Sequence, residues 1–422
     1  MKAILKLKIS NMLKLEDGGY FYQGLAKVKL NGKWSFINKT GKLICQAQFD
    51  EVRDFSGGLA AVNIGGSDAQ KWGFINKTGQ LIAKPQFDGI DNFCEGFAAV
   101  NIGGYETGKW GFIDHNGELV VQAKYDRVMK FSQGLAAVKY DGKWGFINQL
   151  GEVVLSPQFV DVQDFSEGLA PICVEKDIDN KGKWGFINHK LENVISPSNK
   201  FRGVRPFQQG LAPIETGFQE YGYIDKSGNI VIPPIFSFTR NFVEDLAIVG
   251  YTRKINGQLL GTFGEDDYGD RSLIFYERPQ SVTNTIQQKA IINKKGDIVK
   301  TYEYNWEKVD DFKEGMAVLC VKDGYSYKYG FVNKLGNCII PCKFSYALYF
   351  SEGLAAVNTS RNFNDTPKWK YIDKVGNVVI NVEASQASPF REGLAVIKCK
   401  DTTNSSYNYA YFIDKTGKNV FE

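Results

Sequence analysis

Few residues in this chain are of the types that do covalent chemistry. Its 422 residues include two histidines, His115 and His189, and seven cysteines: Cys45, Cys94, Cys173, Cys320, Cys338, Cys342 and Cys399. Nucleophilic catalysis needs a Ser or Cys held against a base that a third group orients. Both histidines fall just after the Asn or Asp of a recurring turn sequence, where other stretches carry Lys or Gln. That position marks them as turn residues and leaves no Ser-His-Asp or Cys-His pairing. The closest cysteines, Cys338-x-x-x-Cys342, have neither a second pair nor a His nearby, whereas a zinc site takes about four clustered ligands. Asp50, Asp88, Asp126 and Asp161 recur after a Phe or Tyr, which suits a turn or cap duty; a glycosidase uses one suitably spaced pair of acids. The residues therefore predict no catalytic group, no metal ligand and no cofactor, and the expectation is a protein that is not an enzyme.

The elements that hold these residues repeat. A Phe recurs at 21, 55, 93, 131, 165, 207, 242, 312, 350 and 390, and five residues after each stands an Ala. A third slot is always Asn or Asp: Asn38, Asn76, Asp114, Asn148, Asn188, Asp225, Asn293, Asn333, Asp373 and Asp414. Gly follows that slot by three residues except at Leu191. Such self-similarity overrides the two or three domains that length alone suggests. The fullest copy reads Phe131-Ser-Gln-Gly-Leu-Ala-Ala-Val-Lys-Tyr-Asp-Gly-Lys-Trp-Gly-Phe-Ile-Asn148. Leu-Ala-Ala-Val and Lys-Trp-Gly-Phe-Ile are β-prone runs joined by Asp141-Gly142, or by Asn31-Gly32 in the first copy, dipeptides that supply the positive φ of a tight hairpin. Asx-x-x-Gly fits a second reversal, and a third strand such as Glu152–Leu155 follows, often closed by Pro. Each unit is thus a three-stranded antiparallel meander with a short Phe-Asp-x-Val segment. At roughly 38 residues it cannot bury its own core, so neighbours must stack, and the invariant Ala marks a close approach between them.

Composition agrees. Aromatic residues make up 14% and Gly numbers 44, which suits strands and turns, while 43% hydrophobic residues can fill a core. The net charge of +4, from 51 basic and 47 acidic residues, offers no field for nucleic acid or an anionic membrane. No apolar run reaches the roughly 18 residues of a membrane span. Lys6, Lys8 and Lys14 interrupt the stretch where a signal peptide would be unbroken. The odd, scattered cysteines read as reduced thiols, so the expected location is cytoplasmic.

Lys-Trp-Gly-Phe-Ile-Asn/Asp-x-x-Gly preceded by Glu/Gln-Gly-Leu-Ala resembles the WG repeat, or KWG repeat, of bacterial proteins, from about Gly18 to Glu422. The Trp-Gly pair is intact at Trp72, Trp110, Trp144 and Trp184 and drifts to Trp34-Ser35, Tyr221-Gly222, Tyr329-Gly330 and Trp369-Lys370. It is lost at Lys289-Ala290 and Ala410-Tyr411. The resemblance implies an architecture and carries over no catalytic residues.

The fold class expected is all-β, a tandem array of about ten meanders. An open solenoid or superhelix is preferred, since ten blades exceed the usual 4–8 of a closed β-propeller, which is the alternative. An open array predicts a radius of gyration well above the ~22 Å of a compact globule. Residues 1–17 are read as an N-terminal capping strand, on the alternation of Leu5, Leu7 and Ile9 with Lys6 and Lys8; that strand would cap a solenoid or complete the last unit of a ring. The ten repeats fill 18–422, and unit seven carries an insertion at about 251–288.

Two binding readings follow. From the Trp slot to the next Gly-Leu-Ala glycine the spacing is mostly 24 residues (Trp34 to Gly58, Trp72 to Gly96), while the other half of the unit varies from 10 (Gly24 to Trp34) to 44 (Asp245 to Lys289). A rigid half beside a variable one is the pattern of a scaffold that recognises a protein partner through its hairpin tips and its array face. Within the insertion, Glu265, Asp266, Asp267, Tyr268, Phe275 and Tyr276 form the candidate partner-contact loop; the acidic run lacks the ligand order of a calcium loop. The alternative is a glycan or cell-wall-binding array using the slot aromatics Trp34, Trp72, Trp110, Trp144, Trp184, Tyr221, Tyr329 and Trp369. That reading resembles the cell-wall-binding repeats of secreted bacterial proteins, whose units are shorter. The same aromatics also fit a core ladder, and this structural role is the one preferred.

Overall fold

The computed structural model describes residues 15–65, 70–104, 107–179, 181–255, 262–265, 271–274, 284–302, 306–360, 368–400 and 408–421, and within 252–287 only the backbone. Among these residues every regular element is a β-strand, gathered into separate antiparallel sheets, none of which closes on itself as a barrel. No described helix is long and apolar enough to cross a membrane.

Unit two is representative. Its sheet takes Glu51–Val52, Leu59–Ile64, Lys71–Asn76 and Leu81–Phe87 in chain order. The last three are the expected meander. The short Phe-Asp-x-Val segment joins as an edge strand, pairing Glu51 and Val52 with Asn63 and Val62 of the strand after it. Units six and seven differ in sharing one seven-stranded sheet, because Ile230–Thr239 runs on without a break to pair with Leu246–Ile255.

Three reversals shape the unit. The first is a two-residue turn with both residues left-handed: Gln133 and Gly134 have φ of 55° and 87°, and amide and carbonyl of Ser132 pair with those of Leu135. The second is the variable tip, where Asn31-Gly32 and Asp141-Gly142 adopt the positive φ expected of them. The third is the Asx turn, in which Asn148 Oδ1 accepts the amides of Leu150 and Glu152, each at 3.0 Å. The same pair of bonds recurs in all ten units, from Asn38 to Asp414. Leu191 enters the left-handed region at φ 62° without being Gly, a conformation that costs an L-residue roughly 1–2 kcal/mol.

The glycine of Trp-Gly is required by its neighbour strand. A Cβ on Gly145 would lie 2.4 Å from the Leu155 carbonyl oxygen, and Gly73, Gly111, Gly185, Gly222 and Gly330 face the same contact at 2.3–2.5 Å. The close approach accompanies a bulge: Trp144 pairs with Phe159 but Phe146 with Leu155, so two residues on one strand oppose four on the other. Where Lys370 replaces the glycine, this bulge goes. Lys370 sits in a regular ladder running from Lys368–Glu383 to Tyr371–Ile380. In unit one, buried Ser35 keeps the bulged offset, with bridges from Trp34 to Phe49 and Ile37 to Leu43, and its hydroxyl donates to the Cys45 carbonyl at 2.7 Å.

Seams between units are made by the other invariant residues. The Phe after Trp-Gly in one unit meets the first Phe of the next, as in Phe112–Phe131 (ring centroids 4.8 Å) and Phe146–Phe165 (5.6 Å). The invariant alanines are 0–3% exposed, and Ala136 is packed among Phe112, Phe131 and Ala99 of its own and the preceding unit. Each core therefore lies between two units.

The units stack in the manner of a solenoid, each touching its two neighbours, and the stack bends round until unit ten meets unit one. At the two ends of the array, residues of unit ten and unit one are in contact. Phe412 packs on Phe21 at 5.2 Å, and Leu15, Phe21, Ala26 and Val28 share a core with Val396, Ala410 and Phe412. Leu15 also completes the last sheet: its carbonyl accepts the Ala410 amide at 2.8 Å, the pairing that Trp72 makes with Phe87 in unit two. Glu16 then accepts the Gly32 amide at the hairpin tip, as Asp88 accepts that of Gly103. The chain start thus supplies the closing Phe-Asp of unit ten in the form Leu15-Glu16. Leu5, Leu7 and Ile9 lie outside the described residues.

Candidate functional site

Residues singled out for chemistry stay apart. His115 Nε2 meets the Gly57 carbonyl and His189 Nε2 meets Gln133 Oε1, so each histidine reaches from its Asx turn to the unit before. Burial pushes the thiols of Cys94, Cys173, Cys320 and Cys399 up from their ordinary value. Cys342 is pushed up to about 12, by burial first and then by Cys338 beside it. These are protonated groups, the reverse of the lowered thiol of a nucleophile. Among the described residues no three His, Cys, Asp or Glu side chains gather as a metal site. Three of the recurring aspartates pair with the Lys before the slot Trp, Asp50 with Lys33, Asp88 with Lys71 and Asp126 with Lys109, while Asp161 pairs with Lys176. The lysine hydrogen bonds hold the Asp88 and Asp126 carboxyls below the usual range. Two open hollows, about 360 Å³ beside Trp306 and Cys338 and about 330 Å³ beside Tyr20 and Gln386, hold no nucleophile with a base.

The slot aromatics turn into the cores. Trp72, Trp144, Trp184 and Trp369 are 6–7% exposed, and Trp34, Trp110, Tyr221 and Tyr329 are half-buried. Cationic side chains lie over several: Lys29 over Trp34 (5.9 Å), Arg53 over Trp72 (5.2 Å) and Lys139 over Trp144 (5.9 Å). Of the candidate loop, Asp266, Asp267, Tyr268, Phe275 and Tyr276 lie outside the described residues, and Glu265 is described in its backbone alone. The insertion lengthens the unit-seven hairpin, Leu246–Ile255 pairing with Asn284–Asn293 in continuous register, and Thr262–Glu265 pairs with Arg271–Ile274 beyond it.

A feature the sequence reading passes over runs from unit to unit. The residue before the Gly of Gly-Leu-Ala is left-handed in every copy, and it is Glu or Gln in nine: Gln23, Glu95, Gln133, Glu167, Gln209, Glu244, Glu314, Glu352 and Glu392. Each side chain crosses a seam to the turn amides of the next unit. Glu95 accepts from Gln133 (2.5 Å) and Gly134 (2.8 Å), Glu314 from Glu352 (2.5 Å) and Gly353 (3.0 Å), and Glu392 from Gly24 (2.9 Å) across the closing seam. Two successive left-handed amides make a small anion cradle. The Lys after the Asx of the next unit adds an ion pair: Lys226 to Glu167 (3.3 Å), Lys374 to Glu314 (3.4 Å), Lys415 to Glu352 (3.1 Å) and Lys39 to Glu392 (3.2 Å). Burial opposes ionisation of Glu352 and Glu392, but Lys415 and Lys39 with the cradle amides outweigh it and hold both carboxyls below the usual range. The signal was present in sequence as Glu/Gln-Gly; what hid it was that its partners lie a whole unit away.

Fold and seams define a β-repeat protein, ten units joined by a polar belt and an apolar ladder. The WG containing repeat matches at 13–34, 34–67, 72–105, 110–144, 144–176, 184–217, 221–251, 291–325, 329–360 and 369–402, and the chain belongs to that family. No curated protein matches it in sequence. Among solved structures it is similar to a eukaryotic initiation factor (11% identity, 88% of each chain covered, TM-score 0.48). It is also similar to the tricorn protease (10%, 96% of this chain and 49% of that one, TM-score 0.27) and to Hsv2p of Kluyveromyces lactis (10%, 67% and 94%, TM-score 0.31).

Proposed function

We propose that the protein is a non-enzymatic scaffold for protein–protein interaction, working in the cytoplasm and recognising its partner through the variable hairpin tips and the broad face of the array. The observation that carries this reading is the division of labour within the unit. The turns that build seams, the Asx turn and the Gly-Leu turn, are constant, whereas the tip between the second and third strands differs in every stretch, from Asp141-Gly142 to the insertion of unit seven. Variation at a tip leaves the seams intact, because closing a longer loop costs only slowly more. The buried or half-buried slot aromatics, with Lys or Arg over three of them, support a core role for these rings and weigh against sugar stacking.

The test is affinity capture from soluble extract and from a washed cell-wall fraction of the source organism, using the full chain and a variant whose residues 251–288 are replaced by a short Asn-Gly hairpin. A protein captured by the full chain and lost with the insertion is the expected result. Retention of both chains on cell wall, with no protein captured, would favour the glycan reading instead.

A further inference from the structure

One seam of the belt is built differently. At the residue that is Glu or Gln in nine units, unit two has Gly57. The cradle facing it in unit three has the same left-handed pair, Glu95 (φ 50°) and Gly96 (φ 94°). Nothing crosses from Gly57 to fill it: the atoms nearest a Cβ on Gly96 belong to the His115 ring, at 3.8 Å. The rest of the arrangement is retained. His115 takes the place of the belt lysine, resting on Phe93 (5.0 Å between ring centroids) with Nε2 on the Gly57 carbonyl. Lys39, Lys226 and Lys374 contact the carbonyls of Glu392, Glu167 and Glu314 in the same way.

We propose that the seam between units two and three is a carboxylate-binding subsite, in which an acidic side chain of a partner occupies the cradle that Glu95, Glu167, Glu314, Glu352 and Glu392 fill at their own seams. The chain itself supplies the precedent, since the equivalent two amides donate to a carboxylate elsewhere in it, which is bidentate from Glu95, Glu167 and Glu314. The Glu95 and Gly96 amides donate to the two carboxylate oxygens, and His115 stands where the ammonium of the other seams stands. A free carboxylate should bind in roughly the millimolar range, as expected of two charge-assisted hydrogen bonds; a peptide gains only if neighbouring residues add contacts. Only the carrier of the carboxylate rests on the scaffold reading; the subsite does not.

The experiment is a titration of the full chain, labelled with 15N-glycine, with sodium acetate and then with a short Glu-containing peptide, sodium chloride being the control. The expected result is a saturable shift of the Gly96 amide with acetate and peptide, while Gly134, Gly210 and Gly353, whose cradles are filled from within, do not move. Gly57→Glu should abolish the shift by supplying the carboxylate internally, and His115→Ala should weaken binding several-fold. An equal response to chloride would overturn the carboxylate assignment. So would a Gly96 shift that survives in folded Gly57→Glu, or no shift at all. Binding of acetate without the peptide would keep the subsite and reject an acidic partner side chain as its occupant.

Discussion

Gly145 and Ala136 are small for different reasons, and substitution separates them. A methyl on Gly145 would stand 2.4 Å from the Leu155 carbonyl oxygen, so Gly145→Ala must push out the bulged strand within its own sheet. Ala136 lies against the preceding unit, so Ala136→Leu must spread a seam. Each is expected to cost about 1–3 kcal/mol, read as a fall in denaturant midpoint; an unchanged midpoint for either contradicts the role assigned to it. Lys370 offers the reverse case. Because its ladder is regular, Lys370→Gly should gain nothing and lose up to about 1 kcal/mol through backbone freedom. Stabilisation would mean that the glycine, by itself, favours the bulged form.

At the scale of the element, the constant turns were legible and the belt was not. An Asx turn is satisfied by its own backbone within four residues, so Asn38 to Asp414 announce it by local spacing alone. The Glu or Gln of the belt makes its bonds some 35–43 residues away, 71 for Glu244 to Gly315 across the insertion and 368 for Gly24 to Glu392, and no local pattern states that partner. The short edge strand was misassigned to the preceding unit for the same reason: two residues of pairing leave no periodicity to read. Its ionised carboxylates give the belt a pH signature. Glu352 and Glu392 have folded pKa values below the ordinary one, so their contribution is fully present above the unfolded Glu range, near 4.5, and is lost as pH falls through the folded values. Glu352→Gln and Glu392→Gln should flatten that acid loss, followed by tryptophan fluorescence against pH. At neutral pH they should cost little, since Gln23, Gln133 and Gln209 already serve at their own seams. An unaltered acid transition would remove the belt from the account of stability.

The whole molecule is where sequence and structure diverge most. Repeat number, strand type and the apolar ladder were read from the invariant Phe and Ala. Closure stayed one of two alternatives, because the residues that make it, Leu15 and Glu16, depart from Phe-Asp in both letters and lie at the far end of the chain from the sheet they complete. A stack whose ends lock is expected to unfold as one unit, whereas a free-ended stack would fray from its termini. Removal of residues 1–22 should therefore lower the stability of unit ten as well as unit one, seen as faster amide exchange in Ala395–Lys400; protection unchanged there would speak for free ends.

The central claim is that unit ten meets unit one, and carbodiimide cross-linking tests it most directly. Lys39 and Glu392 stand 3.2 Å apart across the closing seam, as Lys415 and Glu352 (3.1 Å) or Lys374 and Glu314 (3.4 Å) stand across ordinary ones. In monomer isolated by size exclusion, the account predicts a Lys39–Glu392 isopeptide at a yield comparable to the other two. If the Lys415–Glu352 and Lys374–Glu314 links form and the Lys39–Glu392 link does not, the ends are free and the closed ring is wrong.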